Sequence, residues 1–452
     1  MKKGEEIKLR IETFEFPNKG TGYVDQTRVV VKNALPGQTV KAIVSKKRKN
    51  KIEARLVEVC DKAPYELEPV CNHFGKCGGC LLQTMPYEMQ LQHKDTYVQQ
   101  TLSTVTAESY HYRGIVPSPN QLRYRNKMEF SFGDSYKGGP LSLGLHQRNR
   151  FYEIETTDTC QLVDGDFTKI LRAVLAYFSE KKTPFYHKKT HEGYLRHLVI
   201  RKGEFSNELM INLVTTSQEE LDETGFVSSV LDLNLSGVVQ SMIHTTNDRL
   251  GDVVQPDDMK LLYGSMLIKD KLLGLTFEIS PFSFFQTNSS GAEKLYEIVR
   301  RYAGTKSQHT ILDLYCGTGT IAQILSPIAK KVIGVELVHE AIEKARENAN
   351  LNGITNCEFV QGDVLKVVDT LPDNADIVVL DPPRSGIHPK AINKIISFEP
   401  ETFIYISCNP KALSQDLPTF LEAGYRIEES ISVDMFPMVT HVEVCCCLTR
   451  VK

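Results

Sequence analysis

The chain has 452 residues, 41% of them hydrophobic and 24% charged, with a formal net charge of −3. That length calls for two or three domains, and the composition is that of a soluble globular protein. The near-neutral balance argues against a whole-surface polyanion binder but leaves room for local basic patches.

The start, MKKGEEIKLRIETF, has basic residues with no apolar run behind them. No signal peptide and no membrane span are expected, and the cytoplasm is the expected location. In that compartment the 11 cysteines are expected to be thiols, metal ligands or catalysts rather than disulfides. Residues 1–60 alternate apolar and polar side chains between Gly, Pro and Asn turns, as in IKLRIETF and QTVKAIVSKKRKNKIEARLVEV. The pattern suits a five-stranded barrel of the kind that often holds nucleic acid. KKRKNK, Lys46 to Lys51, falls where two strands would turn. It reads either as a solvated turn or, from its basic sign, as an RNA contact.

Residues 61–272 read as a mixed α+β region. TMPYEMQLQHKDTYVQQTLSTV is a helix candidate broken at Pro86, and TKILRAVLAYFSE has helical spacing. YRNKMEFSFG, LSLGLHQR, HLVIRKG and ELMINLV look like antiparallel strands. Within this region CNHFGKCGGC places Cys71, Cys77 and Cys80 in a short glycine-rich loop. Three thiolates at this spacing can close on one metal centre, with Cys160 as the candidate fourth ligand. Spacing alone leaves zinc and an iron–sulfur cluster both open.

From residue 273 apolar runs alternate with helical stretches. Near-continuous Val, Ile and Leu strands are buried on both faces, so a doubly wound α/β domain with a parallel sheet is expected. Ligands of such sheets sit at the carboxyl ends of the strands. LDLYCGTGT puts Gly317 and Gly319 at one such end, and VIGVE ends in Glu336 at the next. A carboxylate there can accept both hydroxyls of a ribose. Thr320 and Ile321 stand where a dinucleotide fingerprint needs its later positions, which favours S-adenosylmethionine over NAD. Asp363 in QGDVL and Asp381 in IVVLDPPRSG occupy two further strand ends. Cys408, in YISCNP, occupies a fifth, with Pro410 expected to stop the chain continuing. One sheet edge thus lines up Tyr315, Glu336, Asp363, Asp381 and Cys408.

A thiol there suits a specific chemistry. The C5 carbon of uracil is a poor nucleophile until a thiolate adds to C6 and makes C5 an enolate carbon. A base must then take the C5 proton. Glu443, an acidic residue heading into the apolar run HVEVCCC, is the candidate, because burial raises a carboxylate's pKa toward neutrality. Cys445, Cys446 and Cys447 read as core packing.

Taken together, CNHFGKCGGC, FFQTN, LDLYCGTGT, DPPRSG, SCNP and HVE resemble the S-adenosylmethionine-dependent RNA 5-methyluridine methyltransferase family over essentially the whole chain. The resemblance implies a TRAM barrel at 1–60, a central iron–sulfur domain at 61–272 and a class I methyltransferase domain at 273–452. It implies Cys408 as nucleophile and Glu443 as base. Gln286 in FFQTN, Tyr315, Glu336 and Asp381 match cofactor positions, with Asp363 approaching the adenine. Cys71, Cys77, Cys80 and Cys160 match 4Fe-4S ligands, although CQLVD lacks the proline that soon follows the family's fourth cysteine. Members with both barrel and cluster are similar to 23S rRNA enzymes, whereas others modify uridine 54 in the tRNA T-loop; ribosomal RNA is the expected substrate. RYRNKMEF and RHLVIRKG are expected to contact RNA phosphates, and Phe284 to pack on a flipped base. A monomer with no DNA or membrane partner is expected. Arg384, in the place where a 5-methylcytidine enzyme typically carries a second cysteine, disfavours that class, and an N6-adenine enzyme needs no Cys408. An iron–sulfur RNA-binding protein without catalysis is the non-enzymatic alternative.

Overall fold

A computed structural model describes residues 1–48, 51–106, 109–150, 152–251, 256–304, 308–367, 371 and 375–451. Five strands, β1 Glu6–Glu15, β2 Lys19–Val24, β3 Thr27–Lys32, β4 Thr39–Arg48 and β5 Lys51–Asp61, close into a barrel in the order β1-β2-β3-β5-β4. The alternation in EIKLRI explains its filling, because Ile7, Leu9 and Ile11 point inward while the polar residues between them face water. Of the basic turn, Lys46 to Arg48 end β4 and Lys51 opens β5. Lys49 and Asn50 lie outside the described residues.

The cysteine loop follows and leads into α1 Tyr87–Leu102, whose N-cap is Pro86, the residue expected to break the helix. After it come β6 His111–Val116, β7 Lys127–Asp134, β8 Leu141–His146, β9 Ile154–Thr156, α2 Gly165–Glu180, β10 Leu195–Lys202, β11 Glu208–Thr215, α3 Glu223–Leu231, β12 Val238–Thr246 and β13 Asp258–Gly264. Seven of these strands form one mixed sheet in the order β13-β12-β11-β10-β7-β8-β9, with α2 and α3 packed into its core. The hairpin β14 Ile268–Leu272 and β15 Leu275–Ile279 then leads to α4 Ser289–Ala303.

The remaining elements are β16 Thr310–Leu314, α5 Thr320–Leu325, β17 Lys331–Glu336, α6 His339–Leu351, β18 Cys357–Gln361, α7 Val364–Val367, β19 Ile377–Leu380, α8 Pro389–Ile396, β20 Thr402–Ser407, α9 Pro410–Glu422, β21 Tyr425–Val433 and β22 Glu443–Arg450. They build an eight-stranded sheet in the order β18-β17-β16-β19-β20-β22-β21-β6. The first five strands are parallel, β22 runs antiparallel between β20 and β21, and β6 adds a parallel edge from the middle of the chain. Apolar clusters cover both faces, as the uninterrupted Val and Ile strands require. Cys445 and Cys446 enter opposite clusters and Cys447 is buried, so all three pack the core as expected.

Two expectations need correction. Pro410 does not end the chain's path; it is the first residue of α9, where its missing N–H costs nothing. The basic stretch Arg196–Gly203 does not face phosphates throughout, because Arg196 and Arg201 are buried. Arg196 donates to the carbonyls of Asn247, Arg249 and Gly251 and lies over the Tyr186 ring. Arg201 donates to the Ser283 carbonyl. Both side chains hold loops in place. Among the described residues no helix is long and apolar enough to cross a membrane.

Lys94 of α1 and Asp434 form an ion pair at 2.6 Å with neither side chain exposed. Removing one member of a buried pair strands the other charge. Lys94→Met is therefore expected to lower unfolding free energy by about 3–5 kcal/mol, measured by denaturant titration.

Candidate active site

The carboxyl ends of the parallel strands open onto a cleft of about 660 Å³. Gln286, Tyr315, Glu336, Asp363, Asp381, Cys408 and Glu443 all line it, so the structure brings together every residue expected at the cofactor and reaction site. Phe284, expected against a flipped base, stands at the same cleft and is 65% exposed.

One wall is a sharp turn after β16. Tyr315 takes φ +67°, and Gly317 and Gly319 follow at +54° and +71°. A Cβ on Gly319 would lie 2.5 Å from the Phe359 ring, so only glycine fits both the turn and the packing. Glu336 braces this turn: its carboxylate accepts from the amides of Gly317 at 3.2 Å and Val338 at 3.0 Å. Each oxygen keeps a further lone pair for a ligand hydroxyl. Gln286 enters from outside the sheet. Asn126 fixes its segment, with Nδ2 donating to the Gln286 carbonyl at 3.0 Å and its backbone amide donating to Thr287 at 2.9 Å.

The facing wall joins β19, β20 and β22. Ser407 pairs with Val444 across the antiparallel ladder, so the next positions out are Cys408 and Glu443. Cys408 sits between the end of β20 and the N-cap Asn409 of α9. Asn409 also donates to the Arg384 carbonyl at 3.0 Å. Asp416 of α9 accepts from the Ile387 amide at 2.9 Å and the Tyr405 hydroxyl at 2.6 Å. The Asp381–Ile387 loop is thereby fastened to the helix that follows the cysteine.

Electrostatics set this wall apart. Burial, with the Asp381 charge adding to it, pushes the Glu443 carboxyl up to about 8, against the pull of Arg384. Burial raises Asp381 to about 7. The Cys408 thiol is raised to about 11 by burial and by the charges of Glu443 and Asp381, while Arg384 lowers it. The Arg384 guanidinium also lies 3.2 Å from His441 Nε2, and burial together with Arg384 keeps that imidazole below its ordinary value. Among the described residues lining the cleft, Arg384 thus supplies the fixed positive charge, a role the sequence analysis does not give it. His441 and Phe436 also line the cleft and were not singled out. His441 stands inside the quoted motif HVE, the one signal that pointed to it.

A second constellation lies apart from the cleft. Cys71, Cys77, Cys80 and Cys160 line one small cavity and are all free thiols. Burial raises Cys77, Cys80 and Cys160, the last to about 11. The Gly79 amide donates to Cys77 Sγ at 3.3 Å. Arg148 donates to the Cys80 carbonyl at 2.5 Å. Among the described residues no three His, Cys, Asp or Glu side chains are arranged around a single metal ion.

A doubly wound sheet with a braced glycine turn and a carboxylate at the next strand tip has the form of a class I methyltransferase fold. Comparison with known proteins is consistent with this. A family profile described as tRNA (Uracil-5-)-methyltransferase matches residues 258–451, and a TRAM domain profile matches residues 1–57. An uncharacterized RNA methyltransferase of Clostridium tetani is 47% identical over 450 residues, covering 100% of this chain and 99% of its own. One from Caldanaerobacter subterraneus subsp. tengcongensis is 46% identical over 444 residues, covering 98% of each. Among solved structures, the Pyrococcus abyssi tRNA (uracil-54, C5)-methyltransferase in complex with S-adenosyl-L-homocysteine superposes with a TM-score of 0.76 at 26% identity, covering 98% of this chain and 100% of that one. The chain belongs to the S-adenosylmethionine-dependent RNA uracil-5-methyltransferase family, with a TRAM barrel at its start.

The charges around Cys408 give opposite expectations for two substitutions. Arg384→Gln removes the cation and should slow alkylation of Cys408 at pH 8, whereas Asp381→Asn removes an anion and should speed it. Iodoacetamide labelling followed by peptide mass spectrometry reads both. Gly319→Ala is expected to cost about 1–3 kcal/mol of stability in denaturant unfolding.

Proposed function

We propose that this protein methylates C5 of a uridine in 23S ribosomal RNA through a transient bond between Cys408 and C6 of the base. The observation that carries the reaction is the meeting of Cys408, Glu443, Asp381 and Arg384 in the cleft that also holds Gln286, Tyr315, Glu336 and Asp363. Bound S-adenosylmethionine supplies an electrophilic methyl group. Gln286, Tyr315, Glu336, Asp363 and Asp381 would hold it, with Glu336 accepting the ribose hydroxyls.

Cys408 gives up its proton to solvent and, as thiolate, its Sγ bonds to C6, moving the C5–C6 double bond's density onto C5. C5 would take up the methyl group with the old carbon–sulfur bonding pair left on the sulfonium sulfur, so that S-adenosyl-L-homocysteine is the leaving group. The Glu443 carboxylate accepts the C5 proton, the C5–C6 double bond re-forms, and the bond from C6 to sulfur breaks. Arg384 favours the thiolate and the carboxylate, the charged forms each step uses. Burial of Glu443 keeps the base out of water and its basicity close to working pH.

Cys71, Cys77, Cys80 and Cys160 would hold a 4Fe-4S cluster, a reading supported by four thiols lining one small cavity. Methyl transfer needs no electron, so the cluster's role would be structural or RNA-organising. A metal analysis separates it from zinc: anaerobic protein should be brown and fade in air. The ribosomal target is supported by the combination of barrel and cysteine loop. A tRNA T-loop uridine is the second reading, favoured by the fold shared with the Pyrococcus abyssi enzyme. The same reading takes 1–60, 61–272 and 273–452 as the three units of a cytoplasmic monomer, with β6 of the second unit completing the sheet of the third.

Labelled S-adenosylmethionine incubated with unmodified 23S rRNA and with tRNA should put label into 5-methyluridine in the ribosomal RNA. Label in tRNA alone overturns the target, and label in 5-methylcytidine overturns the chemistry. Cys408→Ala should abolish turnover while cofactor binding persists. Glu443→Gln should accumulate a covalent protein–RNA adduct visible on denaturing gels. Because Glu443 must be ionised and Cys408 must be a thiolate, and both folded values are raised, activity should climb with pH more steeply than tenfold per unit below about 8 and go on climbing, about tenfold per unit, toward about 11.

A further inference from the structure

Residues 434–442 join β21 to β22, carry Phe436 and His441 on the cleft wall, and deliver Glu443. The turn within them is costly. Met438 sits at φ +67°, a conformation side-chain-bearing residues rarely adopt, and such turns persist only where the surroundings over-determine them.

The contacts that do so come from outside the catalytic sheet. Gln90 of α1 is fully buried; its Oε1 accepts from the Met438 amide at 2.9 Å. Its Nε2 donates to the carbonyls of Leu82 at 3.1 Å and Met85 at 2.8 Å. The Met438 carbonyl accepts from the amides of Leu81 and Leu82, both at 3.0 Å, directly after Cys80. The buried Tyr124 hydroxyl donates to the Pro437 carbonyl at 2.9 Å. Tyr124, Met438 and Leu162 form one apolar cluster against which Cys80, Cys160 and Phe436 all pack. Lys94, besides pairing with Asp434, donates to the Phe436 carbonyl at 2.9 Å.

We infer that Gln90 and Tyr124 are positioning residues for the reaction, clamping the Met438 turn so that Phe436 and Glu443 meet the uracil ring, and that the loop bearing Cys80 forms the outer jaw of this clamp. Neither side chain lines the cleft; both act through the backbone of residues 437 and 438. The inference rests on the uracil-adduct reading above. It gives the cysteine loop a mechanical connection to the base that is independent of what the thiols hold.

The test uses the full chain, wild type and with Gln90→Met or Tyr124→Phe, S-adenosylmethionine, and RNA carrying 5-fluorouridine at the target position. The fluorine cannot leave as a proton, so the adduct stays trapped. Cofactor affinity should stay within about twofold, since the cofactor residues lie on other elements. Turnover on unmodified RNA, which includes the Glu443 step, should slow by about tenfold or more for Gln90→Met, in keeping with small misplacements of reacting groups, and less for Tyr124→Phe, while trapping slows through the displaced Phe436 wall. The pH limb assigned to Glu443, read on unmodified RNA, should move to lower pH as a loosened wall admits water to the carboxylate. Hydrogen exchange at the Leu81, Leu82 and Met438 amides should speed up together. A variant with faster Met438 exchange but wild-type trapping and an unmoved pH limb overturns the inference. Tyr124→Phe deletes one hydroxyl and keeps the comparison available should Gln90→Met fail to bind cofactor. A wild-type protein that is not trapped at all overturns instead the adduct reading, a result distinct from equal trapping of wild type and variants.

Discussion

Two carboxylates and a thiol share a desolvated wall at the end of the sheet, with one guanidinium set against their charge. Burial disfavours every one of those anions and raises Asp381, Glu443 and Cys408 alike. That constraint decides much of the rest. It explains why Arg384 is tied back through its own carbonyl to Asn409, and why the loop it sits on is fastened to α9. A mobile cation would leave the carboxylates unopposed. The arrangement is a poor device for stability and a good one for moving a proton between sulfur, carbon and oxygen.

Topology supplies the geometry. Parallel strands with helical crossovers bring Tyr315, Glu336, Asp363, Asp381 and Cys408 to one rim, whatever their separation in sequence. The antiparallel β22, inserted between β20 and β21, is the exception that completes the site. Because it runs the other way, its first residue rather than its last lies at the rim, and that residue is Glu443.

This division also explains what could be read beforehand. Strand-tip residues are legible, since a glycine turn, a terminal carboxylate and a cysteine before an N-cap all follow from local pattern. The barrel's alternation and the break at Pro86 are equally local. Arg196 and Arg201 are not legible in this way. An arginine within a strand reads as solvated until the loops it bonds, about 50 and 80 residues away in Asn247 and Ser283, are folded onto it. Arg384 was visible only as a residue in the wrong place for another enzyme class; its pull on Cys408 and Glu443 depends on three strands meeting. The grip on the Met438 turn is not legible locally either, being made by backbone amides, a buried glutamine and a buried tyrosine hydroxyl from distant segments.

The eighth strand of the catalytic sheet is β6, drawn from residues before the central sheet begins and paired with β21 through Glu429–Val433. Its tyrosine, Tyr112, bonds Asp95 of α1 and approaches Ser432. The chain is therefore interwoven: the methyltransferase unit borrows its final strand from upstream. A fragment cut at residue 273 would bare the β21 margin, with its unpaired amides and carbonyls ready to recruit a neighbouring chain. Shuffling or truncating this protein at its apparent seams would trade a closed border for a sticky one.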